Sequence, residues 1–300
     1  MQDSLDIIGG RTLKQICIPG SHDAGMSVKN GGTAGTNPGN TLTQGLNIGN
    51  QLVAGARYFD IRPVISGGQF MTGHYSYVDA VLGTVGANGQ YIDDIISEIN
   101  AFLAQNAELV ILKLSHTFDT DNGRTYPEFT QTQWEGLFST LLSINNRYVT
   151  SSTSITTDLT INDFIHPAGS PVSAVIIIAD VASNWITDNY SNNGIYPLST
   201  LNLYDEYSDS DSASTTVADQ LQKMQDNSSQ YFLLSWILTL QTVDILLETT
   251  IQDLAGRINP LLYSQLIPSV TETVYPNIIF VDYLDSNVAP LAMTINAQIQ

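Results

Sequence analysis

Short apolar runs rich in β-branched residues recur along the whole chain, and stretches with helical periodicity separate most of them. Eight runs predict strands, near Ile16–Pro19, Ala56–Arg62, Gln69–His74, Leu109–Ser115, Ser173–Asp180, Leu201–Asp205, Tyr231–Ser235 and Asn277–Asp282. The spacing of apolar residues predicts helices over Tyr91–Gln105, Thr132–Leu142, Thr215–Gln225 and Val243–Arg257. Alternation of buried strands with amphipathic helices indicates a parallel sheet. The sequence therefore predicts an α/β fold, a distorted TIM-type (β/α) barrel that is closed or nearly closed.

Residues 1–300 are expected to form a single barrel domain. The length of 300 residues suits one large barrel, and no shift in composition marks a linker. The chain also has no internal repeat. Long polar connections such as Ser27–Asn50 are expected to border a pocket, because loops that follow barrel strands line the site.

The charge of the chain excludes some partners. It carries 29 acidic and 10 basic residues, which gives a formal net charge of −19. Such a surface repels phosphate backbones, so nucleic acid is not expected as a partner. It also lacks a general attraction to anionic membranes, so a lipid substrate would be engaged through a local patch.

Candidate chemistry is concentrated where three of the apolar runs stop. Ile18-Pro19-Gly20-Ser21-His22-Asp23 ends one run, Arg57-Tyr58-Phe59-Asp60-Ile61-Arg62 ends the next, and Met71-Thr72-Gly73-His74 ends the third. In a barrel, strands deliver their functional side chains at their carboxyl ends. Two imidazoles and a guanidinium delivered together suit transfer at a phosphodiester, in which a base, an acid and a phosphate-binding cation are needed.

At these residues the chain resembles the phosphatidylinositol-specific phospholipases C, in particular their single-domain bacterial members. The Pro-Gly-Ser-His-Asp, Arg-x-x-Asp-x-Arg and Gly-His elements occur in the order and spacing of that family. Two later segments also resemble it, namely Leu203-Tyr204-Asp205-Glu206-Tyr207 and Ile278-Ile279-Phe280-Val281-Asp282-Tyr283. The resemblance implies cleavage of phosphatidylinositol, or of related lipid anchors of proteins, to diacylglycerol and a cyclic inositol phosphate.

The resemblance also implies catalytic roles. His22 would be the general base on the inositol 2-hydroxyl, and His74 the general acid on the glycerol oxygen. Asp282 would orient His22, although Asp285 lies close by in sequence. Asp23 would support His74, with a turn or helix-capping carboxylate as the alternative.

Arg62 separates two branches of the family by resemblance. The calcium-dependent branch carries an acidic metal ligand at this position, and the metal-free branch carries arginine. We therefore expect no metal and no other cofactor. An ion pair between Arg62 and Asp60 is compatible with this role, and Asp60 is expected to help orient the site.

Substrate-binding residues are also implied. In relatives a lysine or a glutamate faces the pocket at the end of the strand that corresponds to Leu109–Ser115. In this chain Lys113, Ser115 or His116 could occupy that place. Asp205 and Tyr207 resemble an inositol-binding pair, and a polar strand end is the alternative. Asp180 stands where bacterial relatives have a basic residue. Trp236 to Leu238 is either a membrane-contacting tip or core.

The sequence is also compatible with two other functions. A glycerophosphodiesterase or a sphingomyelinase D-like enzyme also uses two histidines, but with a carboxylate-bound metal, and Arg62 argues against it. The other possibility is a non-catalytic barrel that binds inositol phosphates or glycans. We expect an inositol lipid as partner, transient contact with a membrane surface and a monomer. The N-terminus lacks the pattern of a signal peptide, while the family resemblance favours secretion.

Overall fold

The computed structural model describes residues 1–79, 83–241 and 248–299. The strands in these ranges are β1 (Ile18–Ser21), β2 (Tyr58–Ile61), β3 (Pro63–Ser66), β4 (Gln69–Asp79), β5 (Gly83–Tyr91), β6 (Leu109–Leu114), β7 (Phe118–Asp119), β8 (Ala174–Ala179), β9 (Ile195–Pro197), β10 (Leu203–Tyr204), β11 (Tyr231–Trp236) and β12 (Ile278–Val281). The α-helices are α1 (Leu5–Ile8), α2 (Pro38–Thr41), α3 (Ile48–Val53), α4 (Ile92–Leu103), α5 (Gln131–Leu141), α6 (Ile161–Ile165), α7 (Ser183–Asn189), α8 (Ala213–Asp226), α9 (Ile251–Ile258) and α10 (Val288–Gln298).

Eight strands pair in parallel into one curled sheet, which confirms the predicted α/β barrel class. Their order is β10-β11-β12-β1-β2-β6-β8-β9. Within the described residues β9 and β10 are the two edges and do not pair with each other. The curled sheet is thus open at this point, which fits the nearly closed form of the predicted barrel. Both edge strands are short, which explains why their pattern carries little information about closure.

The curled sheet is buried on both faces, as expected for parallel strands with covering helices. Its interior face packs around aromatic and aliphatic side chains such as Tyr58, Ile111, Ile176 and Phe280. The opposite face packs against the helices through a separate and larger cluster. Burial of each aliphatic side chain adds roughly 1.5–3 kcal/mol to the free energy of unfolding. The two clusters therefore hold the strands, and with them the strand ends, in fixed positions.

The third predicted strand belongs to a different sheet. Gln69–His74 lies within β4, which pairs antiparallel with β3 and β5 in a four-stranded sheet of order β5-β4-β3-β7. The prediction that it joins the parallel sheet was wrong, because a short apolar run does not reveal which strand it pairs with. The eighth strand of the parallel sheet is instead β9, in a segment that the sequence pattern did not mark as a strand.

The predicted helices are found with shifted ends. Tyr91–Gln105, Thr132–Leu142 and Thr215–Gln225 correspond to α4, α5 and α8. The fourth, Val243–Arg257, overlaps α9, and its part between residues 243 and 247 lies outside the described residues. In the described parts of the chain, no helix combines the length and apolar character needed to cross a bilayer.

Candidate active site

Strand alternation places the charged residues at one end of the parallel sheet. Because successive side chains of a strand point to opposite faces, the interior face of β1 continues from Ile18 to His22. On β12 the interior face likewise continues from Phe280 to Asp282, two residues further along the chain. The barrel interior therefore ends in ionisable groups where the apolar side chains stop.

His22 lies between a carboxylate and a guanidinium. Its Nδ1 is 2.7 Å from Oδ1 of Asp282, and Nη2 of Arg62 is 2.7 Å from its Nε2. Asp282 accepts a hydrogen bond from Nδ1–H, so in the neutral imidazole the lone pair is at Nε2, where Arg62 donates. This is the tautomer that a general base needs.

Arg62 is held by Asp60 on the same strand end. Its Nε donates to Oδ2 of Asp60 at 2.9 Å, and its Nη1 is 3.7 Å from Oδ2 of Asp23. Burial alone would raise the pKa of Asp60, but the charges of Arg62 and Lys113 outweigh it and the pKa is lowered. Burial opposes the charge of Arg62, yet Asp60 and Asp23 raise the pKa of the guanidinium. The Asp60–Arg62 pair is therefore fully ionised.

His74 reaches the site from the antiparallel sheet. Its Nδ1 lies 3.2 Å from the carbonyl oxygen of Thr41, to which it donates, and 4.0 Å from Oδ2 of Asp23. Burial, followed by the positive charges of Arg62 and His22, lowers the pKa of His74 to about 3. His74 is thus neutral at pH 7, with its Nε2 as the acceptor.

Asp23 is a buried carboxyl between the two histidines. Its side chain is 0% exposed, and neither oxygen has a hydrogen-bond partner. Burial raises its pKa to about 7, against the opposing effect of Arg62 and His22. The backbone of Asp23 is fixed from both sides, since its N–H donates to Asp60 and its carbonyl accepts from Thr43. A carboxyl of this kind exchanges its proton near neutral pH.

Both histidines and Asp282 border one cleft of about 310 Å³. Polar side chains of the segment between residues 36 and 43 form one wall, and Ile237, Leu238 and Leu240 contribute apolar surface. Trp236 is fully buried and donates from Nε1 to the carbonyl of Ile258, and Leu238 is 3% exposed. These two residues are core, while Ile237 and Leu240 are half-buried at the cleft.

The remaining predicted substrate-binding residues are not among the described residues that border this cleft. Lys113 donates from Nζ to Oδ2 of Asp205 at 2.5 Å. Ser115 donates from Oγ to Oδ1 of Asp60 at 3.2 Å. Lys113 and Ser115 share the interior face of β6, two residues apart, so both face the site, whereas the position of His116 is out of step. Tyr207 is 61% exposed, and the described residues that border the His22–His74 cleft do not include it.

Two contributors were not identified from the sequence. Gln44 is 0% exposed and donates from Nε2 to the carbonyls of His22 and Val281, and its Oε1 accepts from the N–H of Leu284. Thr41 supplies the backbone acceptor for His74. Both belong to a polar segment that has no hydrophobic periodicity and no catalytic motif, so the sequence does not mark them as site residues.

The donor set at this end of the sheet is mixed in charge. Across residues 1–79, 83–241 and 248–299, no group of three or more His, Cys, Asp or Glu side chains is arranged to hold a metal ion. A guanidinium occupies the centre of the cluster and contacts His22 and Asp60 directly. The arrangement can bind an anion at Arg62 and move protons at Nε2 of each histidine.

Comparison with known proteins gives a structural match. No protein-family model and no curated protein matches the sequence. The fold is similar to a phosphatidylinositol-specific phospholipase C from Listeria monocytogenes, with a TM-score of 0.62, 17% identity, and coverage of 96% of this chain and 95% of that one. It is also similar to the Staphylococcus aureus phosphatidylinositol-specific phospholipase C, with a TM-score of 0.66, 17% identity, and coverage of 98% and 95%. The chain therefore shares the barrel fold of bacterial phosphatidylinositol-specific phospholipases C, the family that its motifs resemble.

Proposed function

We propose that this protein is a metal-independent phosphodiesterase that cleaves phosphatidylinositol to diacylglycerol and inositol 1,2-cyclic phosphate. The main support is that His22 and His74 border one cleft, with Arg62 hydrogen-bonded to the first and Asp23 close to the second. The similarity of the fold to bacterial phospholipases C specific for this lipid adds to that support.

The first step begins at His22. Its Nε2 takes the proton of the inositol 2-hydroxyl, and the hydroxyl oxygen forms a bond to phosphorus. Asp282, at 2.7 Å from Nδ1, stabilises the imidazolium that results. Arg62 turns from Nε2 toward the phosphoryl oxygens and neutralises the charge that develops there, a role that a fork of N–H donors fills well.

Departure of the glycerol oxygen requires a proton from His74. Burial and the charges of Arg62 and His22 hold His74 neutral, so the charged form expected from the motif must arise with the substrate. The phosphodiester brings a negative charge into the buried cleft, and this raises the pKa of His74. Asp23 lies 4.0 Å from Nδ1 and stabilises the imidazolium when it is ionised. Nε2 then protonates the glycerol oxygen as its bond to phosphorus breaks.

The polar and apolar surfaces around the site indicate where the inositol ring and the glycerol side of the lipid bind. The inositol ring contacts Lys113 and Asp205, whose ammonium and carboxylate pair with each other. The glycerol side faces the apolar wall of Ile237 and Leu240. This wall is the local patch through which the acidic protein contacts a lipid surface.

Incubation of the protein with phosphatidylinositol in a chelator, followed by phosphorus NMR, tests the proposal. We expect a cyclic phosphate signal in the wild type and its loss in His22→Ala and in His74→Ala. Activity that disappears in chelator and returns with calcium or magnesium would indicate a metal-dependent phosphodiesterase instead. Binding without any product would indicate a non-catalytic barrel.

A further inference from the structure

The hydrogen-bond network of the site extends one residue beyond the groups used above. Oδ1 of Asp60 accepts from Oγ of Ser115 at 3.2 Å, and the same Oγ lies 2.8 Å from Nδ1 of His116. Oδ2 of Asp60 accepts from Arg62, which in turn donates to His22. A continuous chain of hydrogen bonds therefore links His116 to the base His22.

Proton counting fixes the direction of this chain. Asp60 is ionised, so it can only accept, and the single hydroxyl proton of Ser115 is donated to it. The contact between Ser115 and His116 must then run the other way, with Nδ1–H of His116 as donor. His116 thus occupies the acceptor side of Ser115 and keeps the hydroxyl proton directed at Asp60.

The backbone of His116 indicates that its position is imposed. Its φ is +52°, in the left-handed region, which is unfavourable for a residue that has a Cβ atom. The same conformation occurs at Asp23, with φ +39°, and at Tyr283, with φ +47°. Each of the three stands two residues after the end of a parallel strand, and the other two directly follow His22 and Asp282. His116 occupies the corresponding place after β6.

We propose that His116, acting through Ser115, is a positioning residue that holds Asp60 and thereby anchors Nε of Arg62, so that the Nη groups stay in place to turn from His22 to the phosphoryl oxygens. This rests on the proposed function for its effect on rate, but its effect on Arg62 is independent of any substrate. His116 itself is exposed and borders a neighbouring cavity of about 640 Å³, so its replacement leaves no buried void.

Two substitutions separate the side chain from the backbone. Glycine and asparagine are the residues that best tolerate a left-handed φ, so His116→Gly and His116→Asn both fit the chain. Only asparagine offers an N–H near the place of Nδ1. We expect kcat on phosphatidylinositol to fall roughly three- to tenfold in His116→Gly, as for loss of one ordinary hydrogen bond, with KM unchanged. His116→Asn should restore most of the loss.

A mutant cycle tests the route through Ser115. If His116 acts through that hydroxyl, His116→Gly has no further effect on kcat in a Ser115→Ala background. Additive losses would overturn the proposal, as would equal activity of His116→Gly and wild type. His166→Gly is the matched control, since His166 precedes the amino end of β8, at the opposite end of the sheet, and this variant should keep wild-type kcat.

A second measurement needs no substrate. The Nε–H of Arg62 donates to Asp60, and its exchange with solvent is measurable by nitrogen-15 NMR. We expect exchange to become at least about threefold faster in His116→Gly and to stay near the wild-type rate in His116→Asn. Unchanged exchange in both variants would refute the positioning role even in a protein that cleaves phosphatidylinositol. Altered exchange in a protein that yields no cyclic phosphate would refute only the proposed function.

Discussion

The two imidazoles of the site are held by different kinds of structure. His22 follows a central strand of the parallel sheet, between β12 and β2, and has a carboxylate at 2.7 Å. His74 lies within an antiparallel strand, donates to a backbone carbonyl and has its nearest carboxylate at 4.0 Å. The first arrangement fixes a tautomer through the protein's own carboxylate, whereas the second leaves the charge of the imidazole to be set by what binds.

The leaving group of the substrate distinguishes the two histidines most strongly. A nitrophenyl ester of inositol phosphate releases nitrophenolate without protonation, so it needs a base but no acid. His22→Ala should lose at least about 10³-fold in kcat on both this ester and phosphatidylinositol. His74→Ala should lose roughly 10²- to 10³-fold on the lipid but less than about tenfold on the ester. Equal losses of His74→Ala on both substrates would contradict the assignment.

The free energy of unfolding should change in opposite directions when Asp23, near His74, and Asp60, bonded to Arg62, are each replaced by asparagine. The pKa of Asp23 is raised from 3.8 to about 7, so the native state binds the extra proton and loses stability as pH rises between these values. Asp23→Asn should therefore raise the free energy of unfolding above pH 7, by up to roughly 4 kcal/mol.

Asp60 gives the reverse result, because its pKa is lowered and its ionised form stabilises the native state. That contribution is present above about pH 4 and is lost as pH falls further. Asp60→Asn should cost about 3–5 kcal/mol at pH 7, with a smaller difference in acid. Urea unfolding of both variants at pH 3, 5 and 8 measures this, and shifts of the same sign at pH 8 would rule out the assigned protonation states.

Arg62 contacts His22 and Asp60 and also lies 3.7 Å from Asp23, so its replacement should disturb the surroundings of both histidines. Lysine keeps the charge but cannot donate to Asp60 and to a phosphoryl oxygen in the same geometry. Arg62→Lys is expected to lower kcat by about 10²-fold, in chelator and in calcium alike. Steady-state kinetics in both media measure it, and recovery of activity with calcium would place a cation, rather than the guanidinium, at the phosphate.

Replacement of Gln44, which contacts the backbone of His22, should have the smallest effect of these substitutions. Methionine has a similar shape but leaves the carbonyls of His22 and Val281 without their donor. Gln44→Met should cost about 1–3 kcal/mol in stability and less than tenfold in kcat. Thermal unfolding with the exposed Gln105→Met as control, which should shift stability by less than about 0.5 kcal/mol, measures the difference. A neutral Gln44→Met would mean that water replaces the amide.

The same contrast explains what the sequence could predict. On the His22 side, an apolar run with alternation of period two ends in ionisable residues, and this suffices to bring His22, Arg62 and Asp282 to one end of the sheet. His74 carries an equally clear motif, but its strand pairs with β3 and β5, a choice made by register and turns that the run itself does not contain. Thr41 and Gln44 lie in a segment rich in Gly, Asn and Thr, where contacts depend on a path through space without periodicity.

The ambiguity among Lys113, Ser115 and His116 also has a physical answer. Lys113 and Ser115 share a face, so one contacts Asp205 and the other Asp60. His116 joins them only because its backbone turns into the left-handed region. No sequence pattern in β6 predicts that turn.

The break in the parallel sheet between β9 and β10 has a consequence for the opening of the protein toward large ligands. A closed ladder of backbone hydrogen bonds has a circumference fixed by its strand number, so it widens only if such bonds break. Here the two ends of the wall are strands of three and two residues, and the short segment 198–202 joins them along the chain. The circumference can therefore widen along that line without breaking a strand ladder, as far as the segment 198–202 can extend. Edges this short also give other polypeptides little backbone with which to form intermolecular sheets.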